Sequence, residues 1–132
     1  MKPEPMKGPK IVLAAYDLVL KLYPTVKAFP KSQQYMLGRR IEDAALEILL
    51  GLVAANTARD KRRHLPVVDR EIEKLRFLVR LAFDLKFISL KRYGQLTGRV
   101  DEIGRMLGGW IKWTAECGTR NAECGTKDEG NQ

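Results

Sequence analysis

At 132 residues the chain is the size of one domain built on one hydrophobic core. It carries 24 Lys and Arg against 16 Asp and Glu, a net charge of +8 with a pI near 9.7. That excess excludes an acidic disordered chain and points to an anionic partner, of which nucleic acid is the usual one for a small domain. Residues 1–114 hold 22 basic and 12 acidic side chains (+10), and residues 115–132 hold 2 and 4 (−2), so the charge sits in the part expected to fold. Two cysteines, Cys117 and Cys124, make no disulfide framework and suit a reducing cytoplasm. The apolar stretch from Ile11 is interrupted by Asp17 and Lys21, and no small-residue cleavage site follows it. No run approaches the ~18 uninterrupted apolar residues of a membrane span, so a soluble cytoplasmic protein is expected.

Residues 1–9, with three prolines and a glycine, read as a flexible leader. From Lys10 to Tyr23 the residues Ile11, Ala14, Ala15, Leu18, Val19 and Leu22 recur at helical spacing, and Pro24 is expected to end this helix. A second helix is predicted over 31–58, with Ser32 as N-cap and Leu37, Ile41, Ala44, Ala45, Ile48, Leu49 and Leu52 inward. After the charged turn Arg59–Leu65, Pro66 suits the first turn of a third helix over 66–87. Its inward set is Ile72, Leu75, Leu78, Val79, Ala82 and Leu85. Ser89 caps a fourth helix over 89–114, where Tyr93, Leu96, Val100, Ile103, Leu107 and Trp110 alternate spacings of three and four. No segment alternates with period two over a strand's length. The expected fold is therefore all-α, an antiparallel up-down-up-down four-helix bundle over residues 10–114. Residues 115–132 nearly repeat Ala-Glu-Cys-Gly-Thr followed by Arg or Lys, and read as a disordered polar tail.

Two helices carry more apolar material than one core needs. At about 100° per residue, Phe77 and Leu81 fall roughly 140–180° from Ile72, and Leu46 and Leu50 fall the same distance from Ile41. Such residues in line make an interaction surface, and four of them mark Leu46, Leu50, Phe77 and Leu81 as an oligomer interface. The fourth helix holds Gly94, Gly98, Gly104, Gly108 and Gly109, each costing about 1 kcal/mol relative to Ala. Close backbone approach by a neighbour at Gly94/Gly98 and Gly104/Gly108 would offset that cost.

No constellation for chemistry emerges. The single histidine, His64, has no companion at ligand spacing, and no glycine loop precedes a helix in a phosphate-cradling pattern. Neither a metal, a cofactor nor an enzymatic activity is expected. Glu73, Arg76, Arg80 and Asp84 read as an ion-pair row. The basic clusters are more informative: Arg59, Lys61, Arg62 and Arg63 at one turn, Arg39 and Arg40 on helix two, Arg70 and Lys74 on helix three. These eight are the candidate nucleic-acid contacts, giving salt-dependent affinity through phosphates.

Several stretches carry a resemblance: Tyr16-Asp17-Leu18 through Leu22-Tyr23-Pro24, Phe29-Pro30-Lys31-Ser32, Leu37-Gly38-Arg39-Arg40-Ile41-Glu42, Leu75 to Arg80, and Leu85-Lys86-Phe87-Ile88-Ser89. The most specific is Gly104-Arg105-Met106-Leu107-Gly108-Gly109-Trp110-Ile111-Lys112. Over about residues 11–113 the chain resembles the accessory variability determinant (Avd) proteins of diversity-generating retroelements. The resemblance implies a four-helix bundle assembling into a basic, barrel-like homopentamer. It further implies a non-catalytic partner of the retroelement's reverse transcriptase and of RNA or DNA during mutagenic retrohoming. A related set of four-helix proteins, encoded in intervening sequences of ribosomal RNA genes, supplies the alternative of a bundle associated with ribosomal RNA. A third possibility is a structural oligomer whose charge serves solubility.

Overall fold

The computed structural model describes residues 8–120. The expected leader falls mostly on residues 1–7, outside the described residues, as do residues 121–132 with Cys124 and the side chain of Cys117. The elements in order are α1 (Lys10–Lys27), a short α2 (Lys31–Gln33) running through a π turn (Gln34–Gly38) into α3 (Arg39–Thr57), a 3-10 turn (Lys61–Arg63), α4 (Leu65–Asp84) and α5 (Leu90–Arg120). No strand occurs among the described residues. The long helices surround one core in chain order, α1 against α3, α3 against α4, α4 against α5, and α5 back against α1. A helical bundle with sequential neighbours results. Each helix gives it one stripe, Ile11 to Val26 from α1, Ile41 to Ala55 from α3, Leu65 to Ala82 from α4 and Leu96 to Trp110 from α5. The spacing of three and four that forms each stripe is what makes these segments amphipathic helices.

Three boundaries differ from the sequence expectation. Pro24 does not end α1, which continues to Lys27. Thr25 and Val26 are buried, the Thr25 hydroxyl donates to the Lys21 carbonyl at 2.8 Å, and Phe29 tucks in beside Phe87 with ring centroids 5.5 Å apart. Ser32 is not a cap; α2 starts after Pro30 with no side-chain cap, while the Gln34 amide donates to the carbonyls of Lys27 and Phe29. Helix α4 stops at Asp84 because Lys86 adopts a left-handed conformation (φ 68°). The Phe87 N–H then reaches the Ala82 carbonyl and the Lys86 N–H the Phe83 carbonyl, both at 2.9 Å, in a Schellman-type stop. Leu85 thereby leaves the helix wheel and is exposed, not inward. At the start of α5 the Ser89 hydroxyl accepts the Arg92 N–H at 3.1 Å. The end of α5 lies past the expected bundle limit, since residues 115–120 are helical and not part of a disordered tail.

The glycine expectation is corrected as well. A Cβ on Gly94, Gly98, Gly108 or Gly109 would meet nothing within 4 Å, so no neighbour among the described residues approaches them. Only Gly104 is crowded, where a Cβ would stand 2.8 Å from Arg76 Nη2. Close approach occurs instead on α3 and on the π turn before it. A Cβ on Gly51 would lie 2.6 Å from Val68 Cγ2, and one on Gly38 would lie 2.5 Å from Val26 Cγ1. These glycines let α4 and α1 close on α3.

Candidate nucleic-acid interface

The eight candidate cations are not gathered on one surface. Arg39 and Arg40 open α3, and Arg59 lies just beyond its other end. At 1.5 Å per residue these groups are roughly 30 Å apart. Arg70 and Lys74 lie on the flank of α4, exposed between the two ends.

At the α3–α4 connection, Asp60 caps the 3-10 turn by accepting the Arg62 N–H at 3.1 Å, and the same carboxylate oxygen takes Arg62 Nε at 3.1 Å. These hydrogen bonds from the Arg62 side chain and backbone hold the Asp60 carboxyl below its ordinary range, with the charge of Arg63 adding a little. Arg62 is therefore exposed but engaged. Arg59 and Arg63 are exposed and make no ion pair or side-chain hydrogen bond among the described residues. Lys61 departs from the expectation. It is buried, donates to the Ala58 carbonyl at 3.3 Å and lies 5.9 Å from the centre of the Trp110 ring. Its positive charge meets the C-terminal end of α3 and a ring face, two environments that favour a cation. Lys61 thus ties the connection to α5 and is not turned toward a phosphate.

Along the sides, opposite charges are mostly matched. Lys74 pairs with Glu71 at 2.8 Å, and Arg80 with Asp84 at 3.1 Å. Arg76 bridges Glu73 at 2.6 Å and Asp101 of α5 at 3.2 Å, and Arg99 pairs with Asp17 of α1. The ion-pair row therefore splits into two pairs, one of which reaches across to α5. Exposed pairs of this kind add little stability but neutralise the flanks. Arg39, Arg40 and Arg70 make no ion pair among the described residues, which leaves unmatched arginines at both ends of α3 and one on the flank of α4. Near Arg39 the Glu42 carboxyl is pushed up by partial burial and by Asp43, against the opposing pull of Arg39.

Of the four expected interface residues, Leu50, Phe77 and Leu81 are exposed and Leu46 is half-buried. They form two patches and not one. Gly51 meets Val68, which places Leu50 at that level of α4. Phe77 stands nine positions further along α4, about 13 Å away. The groove beside Phe77 is bordered by Asp43, Glu47, Glu71 and Lys74. Leu46, Leu50 and Val53 instead share the outer side of α3, and α1, which packs on α3, carries an exposed row of its own in Tyr16, Leu20 and Tyr23. Sequence reasoning missed that row although the same arithmetic contains it: Tyr16 and Leu20 lie roughly 140° and 180° from Ile11.

Among the described residues no group of three or more His, Cys, Asp or Glu could hold a metal ion, and no helix is long and apolar enough to cross a membrane. The fold and the charge distribution define a helical bundle with cationic ends and unpartnered apolar patches. The chain belongs to the bAvd-like family, whose match runs over residues 10–114, from the first residue of α1 to Thr114 in α5. It is an Avd-type protein. No curated protein matches the chain.

Proposed function

We propose that the protein is the accessory component of a diversity-generating retroelement. In this reading it assembles into a homo-oligomeric ring in the cytoplasm, as the family implies, with five subunits. The ring holds reverse transcriptase and template RNA or cDNA together for mutagenic retrohoming and performs no chemistry of its own. The observation that carries the reading is the bAvd-like match across the whole bundle. The exposed cations Arg59, Arg62 and Arg63 at one end, and Arg39 and Arg40 at the other, support phosphate binding, with Arg70 and Lys74 as flanking contacts. Multiplied around a ring, each end becomes one extended cationic surface. Two apolar patches at different places on one protomer favour a head-to-tail contact, which closes into rings, over a self-complementary one.

The test is solution mass by multi-angle light scattering with and without a structured RNA at two salt concentrations, followed by co-elution with purified reverse transcriptase. An oligomer that takes up RNA most strongly at low salt and co-elutes with the polymerase is the expected result. A monomer of 15.0 kDa indifferent to RNA would overturn the reading. Within it, Arg62→Glu with Arg63→Glu should weaken RNA binding and leave the helical content intact.

A further inference from the structure

The π turn at Gln34–Gly38 has a consequence for the surface next to it. It lifts Tyr35 out of the helix–helix packing while Leu37 and Gly38 on the same turn are buried. Tyr35 is 77% exposed, the highest value for any large apolar or aromatic side chain among the described residues. Across from it stands Tyr23 of α1, 43% exposed. The two tyrosines border one cleft of about 340 Å³, together with Lys27, Arg39, Glu42 and Asp43. Single-turn π insertions are frequent at functional sites, and here the insertion presents an aromatic ring beside cations.

We propose that this cleft holds an unpaired base of single-stranded nucleic acid, stacked on a tyrosine ring. The proposal rests on the nucleic-acid reading above and adds a site for bases to the sites for phosphates. The aromatic and charged groups at the cleft each have a part in it, while Val26 and Gln34 complete its lining. The ring of Tyr35, or that of Tyr23, offers a face that any base can stack upon. Lys27 and Arg39 line the same cleft and supply positive charge for the flanking phosphates. The carboxylates of Glu42 and Asp43 repel phosphate from the cleft, so the backbone runs along the rim and the base points in. They also accept hydrogen bonds from an exocyclic amine, as a carboxylate does from cytosine N4. Cytosine is therefore preferred to uracil, a base of the same size without that amine. The cleft is far too small for a duplex. It lies at the opposite end of α3 from Arg59, Arg62 and Arg63, so the two functions can be separated by mutation.

The experiment is fluorescence anisotropy of the full chain with labelled 12-nucleotide oligo(C) and oligo(U), and with a duplex of similar length, over a series of salt concentrations. Wild type should bind oligo(C) more tightly than oligo(U). Tyr35→Ala should weaken oligo(C) binding by about 5- to 150-fold, the range of one lost base–aromatic stack. It should leave duplex binding and the slope of log K against log salt unchanged, because no phosphate contact is removed. Tyr35→Phe should restore binding, and Tyr23→Ala should repeat a loss of the same kind. Oligo(C) affinity unchanged in both alanine variants, while wild type binds RNA, would overturn the site and leave the broader reading standing. A drop in oligomer mass for Tyr35→Ala would assign the ring to a subunit contact and likewise overturn it. Wild type that binds no nucleic acid at all would remove both.

Discussion

Phe77→Asp with Leu81→Asp should abolish assembly in a way that a second, separately disabled protomer can repair. Phe77 is 76% exposed and Leu81 47%. Full burial of such side chains is worth roughly 1.5–3 kcal/mol each, so covering their exposed parts contributes on the order of 3 kcal/mol per contact. Its loss raises the contact's dissociation constant by at least about a hundredfold, before the further cost of placing carboxylates in an apolar interface. Leu20→Asp with Leu50→Asp disables the other patch in the same manner, since both side chains are a little more than half exposed. Each double variant alone should run at the 15.0 kDa monomer mass in light scattering at micromolar concentration. Mixed in equal amounts they should form a dimer that stops there, because one intact α4 patch meets one intact α1–α3 patch and no further pair remains. The reasoning is refuted if either variant assembles alone, or if the mixture stays monomeric while wild type is an oligomer. The first outcome would mean that the mutated patch is not required for assembly, the second that these two patches do not meet each other.

Four further predictions concern residues whose surroundings the structure defines. Asp60→Asn should tighten RNA binding several-fold at low salt and steepen the salt dependence, because it releases Arg62 for a phosphate; anisotropy with a structured RNA measures both. The native carboxyl is held below its ordinary range. Its contribution to the turn is therefore present above the unfolded pKa and lost as pH falls through the folded one, and the Asn variant should lose that acid-side dependence of thermal stability. Lys61→Ala should lower stability by about 0.5–2 kcal/mol through the lost Trp110 and Ala58 contacts, measured by urea unfolding, and leave the salt slope of RNA binding unchanged. Gly51→Ala should destabilise by about 1–3 kcal/mol from overpacking against Val68, less the helix-propensity gain. Gly98→Ala, with open space around it, should stabilise the isolated protomer by about 1 kcal/mol. A fall in oligomer mass for Gly98→Ala would place a neighbouring subunit against that face.

Much of the bundle is legible in the sequence because burial in a helix obeys a period. Ile41, Ala45, Ile48 and Leu52, or Leu96, Val100, Ile103 and Leu107, announce their inward stripe by spacing alone, and the structure buries all of them. Ser89 and Pro66 signal helix starts because capping and proline chemistry act within one turn. The excess of apolar residues on α3 and α4 is likewise a matter of angles along a single helix, and α1 contains the same signal in Tyr16 and Leu20. The resemblance to the Avd family lies in stretches of the chain itself, above all Met106-Leu107-Gly108-Gly109-Trp110.

Signals between near neighbours therefore reach as far as helix periodicity, the Ser89 cap, net charge and family. The tertiary structure alone decided the rest. Pro24 stays inside α1 because buried Thr25, Val26 and Phe29 hold the last turn down. Lys61 turns from the surface to Trp110, a partner 49 positions away whose approach no local pattern encodes. Leu50 and Leu81, equivalent on a helical wheel, lie on separate patches because Gly51 fixes how far α4 slides along α3. Register between helices and the fate of long charged side chains are set by packing between distant segments, and periodicity within one segment carries no information about them.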